Sequence, residues 1–347
     1  MEKTQNTSFV RREMQPTCDD KLLWDTLMSA LQFPTLTVAD ELGVFALLDK
    51  YPATASDVAK NLSLGARPTE ALLGTLTSLG YLVQHNKIFY LTEVSKNFLL
   101  PHSPYYWGGV FHLLRSSPAS HSALLEALRK DKSTAYGDKD IWETHETNLE
   151  EARAFASFMH SQTITAAIGA AKRGNFEGVR HLLDVGGGSG AFCFPLVQHY
   201  SELHCTILDL PVVCKIAEEY IAQAGLQEQI DTYVGDFFKQ PFPSGYDAIL
   251  FSNIFHDWSR EKCLQLSQRS FEALPSGGRI YLHEILLSDT KDSPTVATLY
   301  SINMILATEG KQFTALELEQ ILTEAGFKDI SVTQTSGYYS LISGRKP

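Results

Sequence analysis

No stretch of the 347-residue sequence approaches the roughly 20 consecutive apolar residues that a membrane-spanning helix needs. Met1 to Cys18 are polar and lack the apolar core and the small-residue cleavage site of a secretory signal, so a loose leading segment and a cytoplasmic location are expected. Cysteine is sparse. Cys18, Cys193, Cys205, Cys214 and Cys263 are odd in number and never form a CxxC pair. That spacing argues against a disulfide framework and a zinc site, leaving reduced, mostly buried thiols as the expectation. Positive charge is in deficit, with 29 Lys and Arg against 40 Asp and Glu and a formal net charge of -11. Such a chain repels a phosphate backbone, and no local basic patch offsets it, so neither nucleic acid nor membrane is expected as a partner.

The composition, 44% hydrophobic and 20% charged, is that of a globular protein, and the length suits two domains. From Leu22 to Leu48 the apolar residues recur at helical spacing with an interruption at Gly43, which predicts two helices. In TASDVAKNLSL, Thr54 or Ser56 can cap a short helix that turns Val58, Ala59 and Leu62 inward. TEALLGTLTSLGYL predicts a further helix after Pro68 that stops at Gly80, and QHNKIFYLT places an Asn-Lys turn between two extended runs. Helices followed by a hairpin make a winged-helix domain. The helix that would read DNA, Thr69 to Gly80, has no Lys or Arg, and Arg67 is the only basic residue near its start. A reader of bases and phosphates needs such donors, so the domain reads as a dimerisation module whose surplus apolar residues meet a second subunit.

Past a mixed segment rich in Ser, Pro, Tyr and Trp, strands and helices alternate. HLLDVG, HCTILDL, IDTYVGD, YDAILFSN and GRIYLHEIL read as strands separated by helical segments, which predicts a parallel sheet covered on both faces. DISVTQT and YYSLISG then flank Ser336 and Gly337 as an antiparallel hairpin. That ending suits a Rossmann-like, seven-stranded α/β sheet of methyltransferase type better than a six-stranded dinucleotide-binding one. The expected boundaries are 19–100 for the mostly helical winged-helix dimerisation domain, 101–150 for a helical connector and 151–347 for the catalytic domain.

LLDVGGGSGAF opens the sheet. Its glycines let the backbone approach a ligand, and Gly186, Gly188 and Ala191 satisfy the G-x-G-x-x-G/A pattern of a nicotinamide site equally well. The neighbours separate the two. Asp184, just before the glycines, can organise a loop that meets the amino-acid part of a sulfonium ligand, whereas a pyrophosphate gains nothing from that charge. Asp209 in ILDLP can accept both ribose hydroxyls of an adenosine. After the third strand, Asp236 can reach an adenine amine and Phe237 can pack on its ring. The three carboxylates line the crevice where open α/β sheets bind ligands, which points to S-adenosylmethionine. SNIFHDWS places His256 at the carboxyl edge of the fourth strand, where an imidazole of ordinary pKa near 6.5 suits removal of a proton from a phenolic or enolic hydroxyl. Glu284 in LHEIL can hold the far ring nitrogen. No paired Asp and Asn set of the catechol-binding kind is seen, and no metal is expected.

The order LLDVGGGSG, ILDLP, VGDFF, FHDWS, LHEILL, NMILATEGKQFT and LTEAGF resembles the small-molecule O-methyltransferases of the plant caffeate and animal acetylserotonin types. The resemblance runs from ADELGVFALL to SLISGRK and implies a homodimer swapped through the N-terminal domain. It further implies cofactor contacts at Gly186, Gly188, Asp209, Leu210, Asp236 and Phe237, with His256 as base and Glu284 behind it. Acceptors in that family lie between the domains, which implies Phe155, Met159, Asn253 and Met304 as pocket walls. Two positions depart from the pattern: Ser252 stands where plant enzymes often carry a cofactor-touching Lys, and Gln312 in GKQFT stands where they carry a second site Glu. The competing expectations are an enzyme that binds S-adenosylmethionine without methyl transfer, of pericyclase or hydroxylase type, and a winged-helix regulatory protein.

Overall fold

The structure is a computed structural model describing residues 17–115, 120–134 and 148–347. Most of the leading segment Met1 to Cys18 and parts of the connector lie outside the described residues. The chain divides into two units, one running to Lys96 and one from Asn97 onward.

The first unit opens with α1 (Lys21–Ser29), α2 (Gln32–Glu41) and α3 (Val44–Lys50), three helices where the periodicity predicts two. Pro34 explains the additional break. It has no N–H to give the Ala30 carbonyl, so a helix from Lys21 cannot run through it, but it is tolerated in the first turn of a new one. Gly43, at φ +77°, separates α2 from α3. Next come β1 (Ala53–Thr54) and α4 (Ala55–Asn61), which Thr54 opens with a capping box closed by Asp57. Helix α5 (Ala66–Ser78) starts before Pro68 rather than after it, because a first-turn proline sacrifices no helical bond. The hairpin of β2 (Leu82–His85) and β3 (Ile88–Leu91) turns at Asn86 and Lys87, both at positive φ as a two-residue turn with the twist of its strands demands. With β1 they form a sheet in the order β1-β3-β2. Helix α1 buries none of its residues, and Leu22, Leu23, Trp24 and Leu27 stay exposed.

After α6 (Glu93–Phe98) come α7 (Gly108–Leu114), α8 (His121–Lys130) and the long α9 (Leu149–Arg173). The sheet of the second unit consists of β4 (His181–Val185), β5 (His204–Asp209), β6 (Ile230–Val234), β7 (Ala248–Ser252), β8 (Arg279–Ile285), β9 (Lys328–Ser336) and β10 (Tyr339–Arg345), in the order β6-β5-β4-β7-β8-β10-β9. Strands β4 to β8 are parallel, and β10 runs antiparallel to both β8 and β9. Between the strands lie α10 (Cys193–His199), α11 (Pro211–Ala224), α12 (Arg260–Ala273), α13 (Thr295–Ala307) and α14 (Ala315–Glu324).

The sheet carries a core on each face. Leu182, Cys205, Ile207, Leu250 and Tyr281 pack against Ala167, Ala170 and Ala171 of α9 and against α10 and α11. Leu183, Val185, Ile249, Phe251 and Leu282 pack against Leu266 of α12 and Leu318, Ile321 and Leu322 of α14. The buried face of α9 is mostly alanine, with Ala156, Ala166, Ala167, Ala170 and Ala171 in succession. Small side chains let the helix axis lie close to the sheet, where burial of larger partners such as Tyr281 supplies the apolar area. Strand order reverses at β4, and the crevice beyond the carboxyl ends of β4, β5 and β7 is where such a sheet receives a ligand.

Candidate active site

Strand β4 carries Asp184 to that crevice and leads into the glycine loop, in which Gly186, Gly188 and Gly190 all take positive φ. A Cβ on Gly187 would stand 2.6 Å from Asp184 Oδ2, so the loop can lie on the carboxylate only because residue 187 has no side chain. Asp184 is buried, and burial, with Asp209 nearby, pushes its carboxyl up to about 7 although the Cys193 thiol donates to Oδ2 at 3.2 Å. Its Oδ1 is buried with no hydrogen-bond partner. Asp209, ending β5, accepts the Gly188 N–H at 3.0 Å and the Leu210 N–H at 2.8 Å. Burial outweighs those bonds and raises its carboxyl to about 6. Leu210 is the half-buried residue before Pro211 at the start of α11. After β6, Asp236 accepts the Phe238 N–H at 2.8 Å and pairs with Lys239 at 2.9 Å. Burial works to raise the Asp236 carboxyl, but these contacts hold it below the ordinary range. Phe237 is half-buried beside Trp258, ring centres 6.3 Å apart.

These residues suit an S-adenosyl ligand. An unpartnered buried acceptor, Asp184 Oδ1, lies beneath the half-buried glycine loop, and Asp209 is fixed by two N–H bonds that leave its other lone pairs for hydroxyl donors. Ser189 of the loop is tied to α9, its Oγ 2.9 Å from His160 Nδ1. Burial pushes that imidazole down to about 4, so it is neutral and can receive the hydroxyl proton.

Strand β7 ends at Ser252. Asn253 takes a left-handed φ of +55°, and a short 3-10 turn, Phe255–Asp257, follows. Asparagine tolerates that conformation better than most residues. His256, on this turn, is 3% exposed. Its Nδ1 is 3.0 Å from Glu284 Oε2 and 3.2 Å from Gln312 Nε2, and its Nε2 is 3.7 Å from Asp257 Oδ1. The other Glu284 oxygen accepts the N–H groups of Ile254 and Phe255 at 3.2 and 3.0 Å, so one carboxylate both fastens the turn and faces the ring. Burial depresses the imidazole pKa, but Glu284 and then Asp257 outweigh it and raise the value to about 9. The same burial raises Asp257 to about 7.

Glu284 and Gln312 ask opposite things of one atom. The carboxylate needs a proton on Nδ1, whereas an amide N–H needs a lone pair there. The raised pKa selects the protonated ring, which the amide can meet only by turning to present Oε1, otherwise without a partner, in place of Nε2. Gln312 reaches His256 because Gly310 packs backbone to backbone on the turn: a Cβ there would collide with the His256 carbonyl and stand 2.6 Å from the Asp257 carbonyl carbon and the Trp258 nitrogen.

Of the remaining expected residues, Ser252 is half-buried with its Oγ 3.4 Å from His283 Nδ1. Asn253 is 3% exposed, and both of its amide atoms lack a partner in hydrogen-bond geometry although it lies beside the Tyr339 hydroxyl. Phe155 and Met159 are half-buried on α9, and Met304 is buried on α13. The sequence reading missed a polar layer under this edge. The Gln162 amide donates to the hydroxyls of Tyr300 at 3.3 Å and Tyr339 at 3.4 Å, the Tyr300 ring lies 5.4 Å from that of His256, and the Tyr339 ring stacks on His283 at 4.8 Å. His283 Nε2 lies 3.1 Å from Thr335 Oγ1, whose hydroxyl donates to the Tyr339 carbonyl, so Nε2 carries the ring proton and Nδ1 accepts from Ser252. Burial pushes the His283 imidazole down to about 3, keeping it neutral. The weak signal available was a histidine at 283 within the buried run from Ile280 to Ile285, next to the site residue Glu284.

Two family models match the chain: the O-methyltransferase dimerisation domain over residues 24–101 and the O-methyltransferase domain over residues 121–328. A 3-hydroxy-5-methyl-1-naphthoate 3-O-methyltransferase of Streptomyces sahachiroi is 36% identical over 332 residues, covering 94% of this chain and 95% of that protein. The acetylserotonin O-methyltransferase of Gallus gallus is 31% identical over 323 residues, covering 89% of this chain and 92% of that protein. Among solved structures, human N-acetylserotonin methyltransferase in complex with SAM superposes with a TM-score of 0.83 at 28% identity, covering 96% of this chain and 99% of that one. With both domain models matched and relatives of this identity spanning nearly its whole length, the chain belongs to the S-adenosylmethionine-dependent small-molecule O-methyltransferases that carry an N-terminal dimerisation domain.

Proposed function

We propose that the protein transfers a methyl group from S-adenosylmethionine to a hydroxyl of a small aromatic or polyketide-like molecule, with His256 as general base. The observation that carries this reading is the buried imidazole whose Nδ1 faces Glu284 at 3.0 Å while Nε2 has no closer ionic neighbour than Asp257 at 3.7 Å. When bound, the cofactor supplies an electrophilic methyl group on a sulfonium centre. Asp209 receives the ribose hydroxyls, Asp184 and the Gly186 to Gly188 loop hold the amino-acid end, Leu210, Asp236 and Phe237 enclose the adenine, and Ser252 offers an oxygen lone pair because its proton is committed to His283. Phe155, Met159, Asn253 and Met304 form the acceptor walls. His256 takes the acceptor's hydroxyl proton on Nε2, and Glu284, with Gln312 through its carbonyl, stabilises the resulting imidazolium on Nδ1.

At pH 7.5 the resting ring is already protonated, its pKa being about 9. A sulfonium charge nearby favours the neutral ring, so cofactor binding prepares the base. The protein works as a homodimer in which residues 19–100 form the dimerisation domain, 101–150 the connector and 151–347 the catalytic domain. The names of the relatives support the aromatic acceptor, and the matched dimerisation model together with the exposed apolar face of α1 supports the dimer.

The test is His256→Ala with a weakly acidic phenol, following release of S-adenosylhomocysteine. Turnover should fall about 10²- to 10⁴-fold with cofactor affinity nearly unchanged, since the loss is confined to the transition state. Wild-type turnover in this variant, or conversion of the acceptor without S-adenosylhomocysteine, would reject the base-assisted transfer.

A further inference from the structure

The charges of the molecule are segregated with depth. Among the described residues, the buried formal charges on Asp, Glu, Lys and Arg belong to Asp184, Asp209, Asp257 and Glu284, with no buried lysine or arginine. All four carboxylates stand at the carboxyl edge of the sheet, on β4, β5, the turn after β7, and β8. Several cations close in sequence to the site residues are engaged at the surface. Lys311, beside Gln312, and Lys291 both pair with Glu317 at 2.7 Å, Lys262 pairs with Glu309 at 2.9 Å, and Arg153 on α9 pairs with Glu219. His256, when protonated, is one buried positive charge between Glu284 and Asp257. The site is therefore built around excess negative charge. The donor's sulfonium offsets part of it, and an anionic acceptor would add to it.

Beside His256 the layer of side chains is polar and uncharged. Gln162 spends its amide hydrogens on Tyr300 and Tyr339, leaving Oε1 buried and unpartnered; Tyr300, which accepts from Gln162, keeps its own proton to donate; and the buried Asn253 amide has only the neighbouring Tyr339 hydroxyl, out of hydrogen-bond geometry. An orphaned buried acceptor such as Gln162 Oε1 is satisfied by an N–H or O–H donor, which an ionised carboxylate cannot supply.

We propose that the acceptor is an uncharged hydroxylated compound with a neutral hydrogen-bonding substituent, such as an amide, an ester carbonyl or a second hydroxyl, held by Gln162, Tyr300 and Asn253, and that carboxylate-bearing acceptors are rejected. This rests on the methyl-transfer reading above and adds the charge class of the substrate.

Matched acceptors that differ only in charge test it. The full-length enzyme with S-adenosylmethionine is assayed at pH 7.5 for S-adenosylhomocysteine release on hydroxybenzene, hydroxynaphthalene and hydroxyindole scaffolds, each as carboxylate, carboxamide and methyl ester. 3-Hydroxy-1-naphthoate against 3-hydroxy-1-naphthamide is one such pair. Neutral members should exceed their carboxylates in kcat/KM by about 100-fold or more, the scale of placing like charges together in a desolvated site. Asn253→Arg, which supplies the missing cation, should shrink that ratio at least tenfold. A carboxylate used by the wild type as well as its amide overturns the inference while leaving methyl transfer standing. If none of the compounds binds or releases S-adenosylhomocysteine, the underlying reading fails and takes this one with it.

Discussion

Gln312→Glu exchanges an amide 3.2 Å from His256 Nδ1 for a second carboxylate, beside Glu284 Oε2 at 3.0 Å. The imidazole of the unaltered protein already holds its proton to about pH 9, because Glu284 and Asp257 outweigh the burial that would release it. An added negative charge at that distance raises a base by about 1–3 units. The lower end applies here, since two carboxylates at one N–H repel each other and share its single proton. A shift of about 1 unit is about 1.4 kcal/mol, and at any pH below the transition it lowers the neutral fraction of the ring about tenfold. The assay is the pH dependence of kcat/KM for a weakly acidic phenol at saturating donor, together with an NMR titration of the imidazole in the donor-free enzyme. The rising limb should move to higher pH in the variant, and in both proteins it should lie below the NMR value because the sulfonium favours the neutral ring. A strongly acidic phenol, ionised without help, should show neither limb nor shift. Stability follows with a defined sign: a folded pKa of about 9 above the ordinary 6.5 contributes fully below 6.5 and is lost as pH rises through 9, and the variant extends that window upward. A limb that stays in place, or moves down, refutes the assignment of His256 as the titrating base.

Asp209→Ala should weaken S-adenosylhomocysteine binding in calorimetry, each hydroxyl bond to a charged acceptor being worth about 1.5–3 kcal/mol. With the Asp209 carboxyl raised to about 6, wild-type affinity should decline as pH falls through that value, because protonation removes the acceptor charge. Gly187→Ala sets a Cβ 2.6 Å from Asp184 Oδ2 and should cost cofactor affinity in calorimetry at least as strongly as it lowers Tm. Leu27→Glu with Leu31→Glu, on exposed apolar positions 58% and 60% accessible, should convert the dimer to monomer in light scattering; a variant that stays dimeric removes this face from the interface.

The sheet was legible in the sequence because its strands are short apolar runs and its glycine loop is local. LLDVGGGSG announces strand, turn and helix within a dozen or so residues, as parallel units of this kind require. The break between α1 and α2 was misread because apolar spacing continues across it, while the proline that forces it acts on a carbonyl four residues earlier. The carboxylates and His256 could be placed by rule, each at or just past the carboxyl end of a strand. Gln162, Tyr300 and Tyr339 could not, since their meeting depends on α9, α13 and β10, separated by as many as 177 residues, converging on one edge. His160 and His283 were hidden for the same reason: a histidine on an apolar helix or strand announces its partner only after the fold has supplied one.

Gly310 separates two properties of the proposed base that are usually joined. Where the imidazole stands is fixed by main chain pressed on main chain at residues 256 to 258, and how tightly it holds a proton, which Glu284 and Asp257 raise, can be altered at the side chain two positions further on. Glutamine and glutamate codons differ by a single base and the two side chains by almost no volume. A lineage can therefore cross between the amide and the carboxylate in one step without disturbing the scaffold. The acidity of the hydroxyls such an enzyme serves can then drift from one generation of natural products to the next while its architecture stays constant.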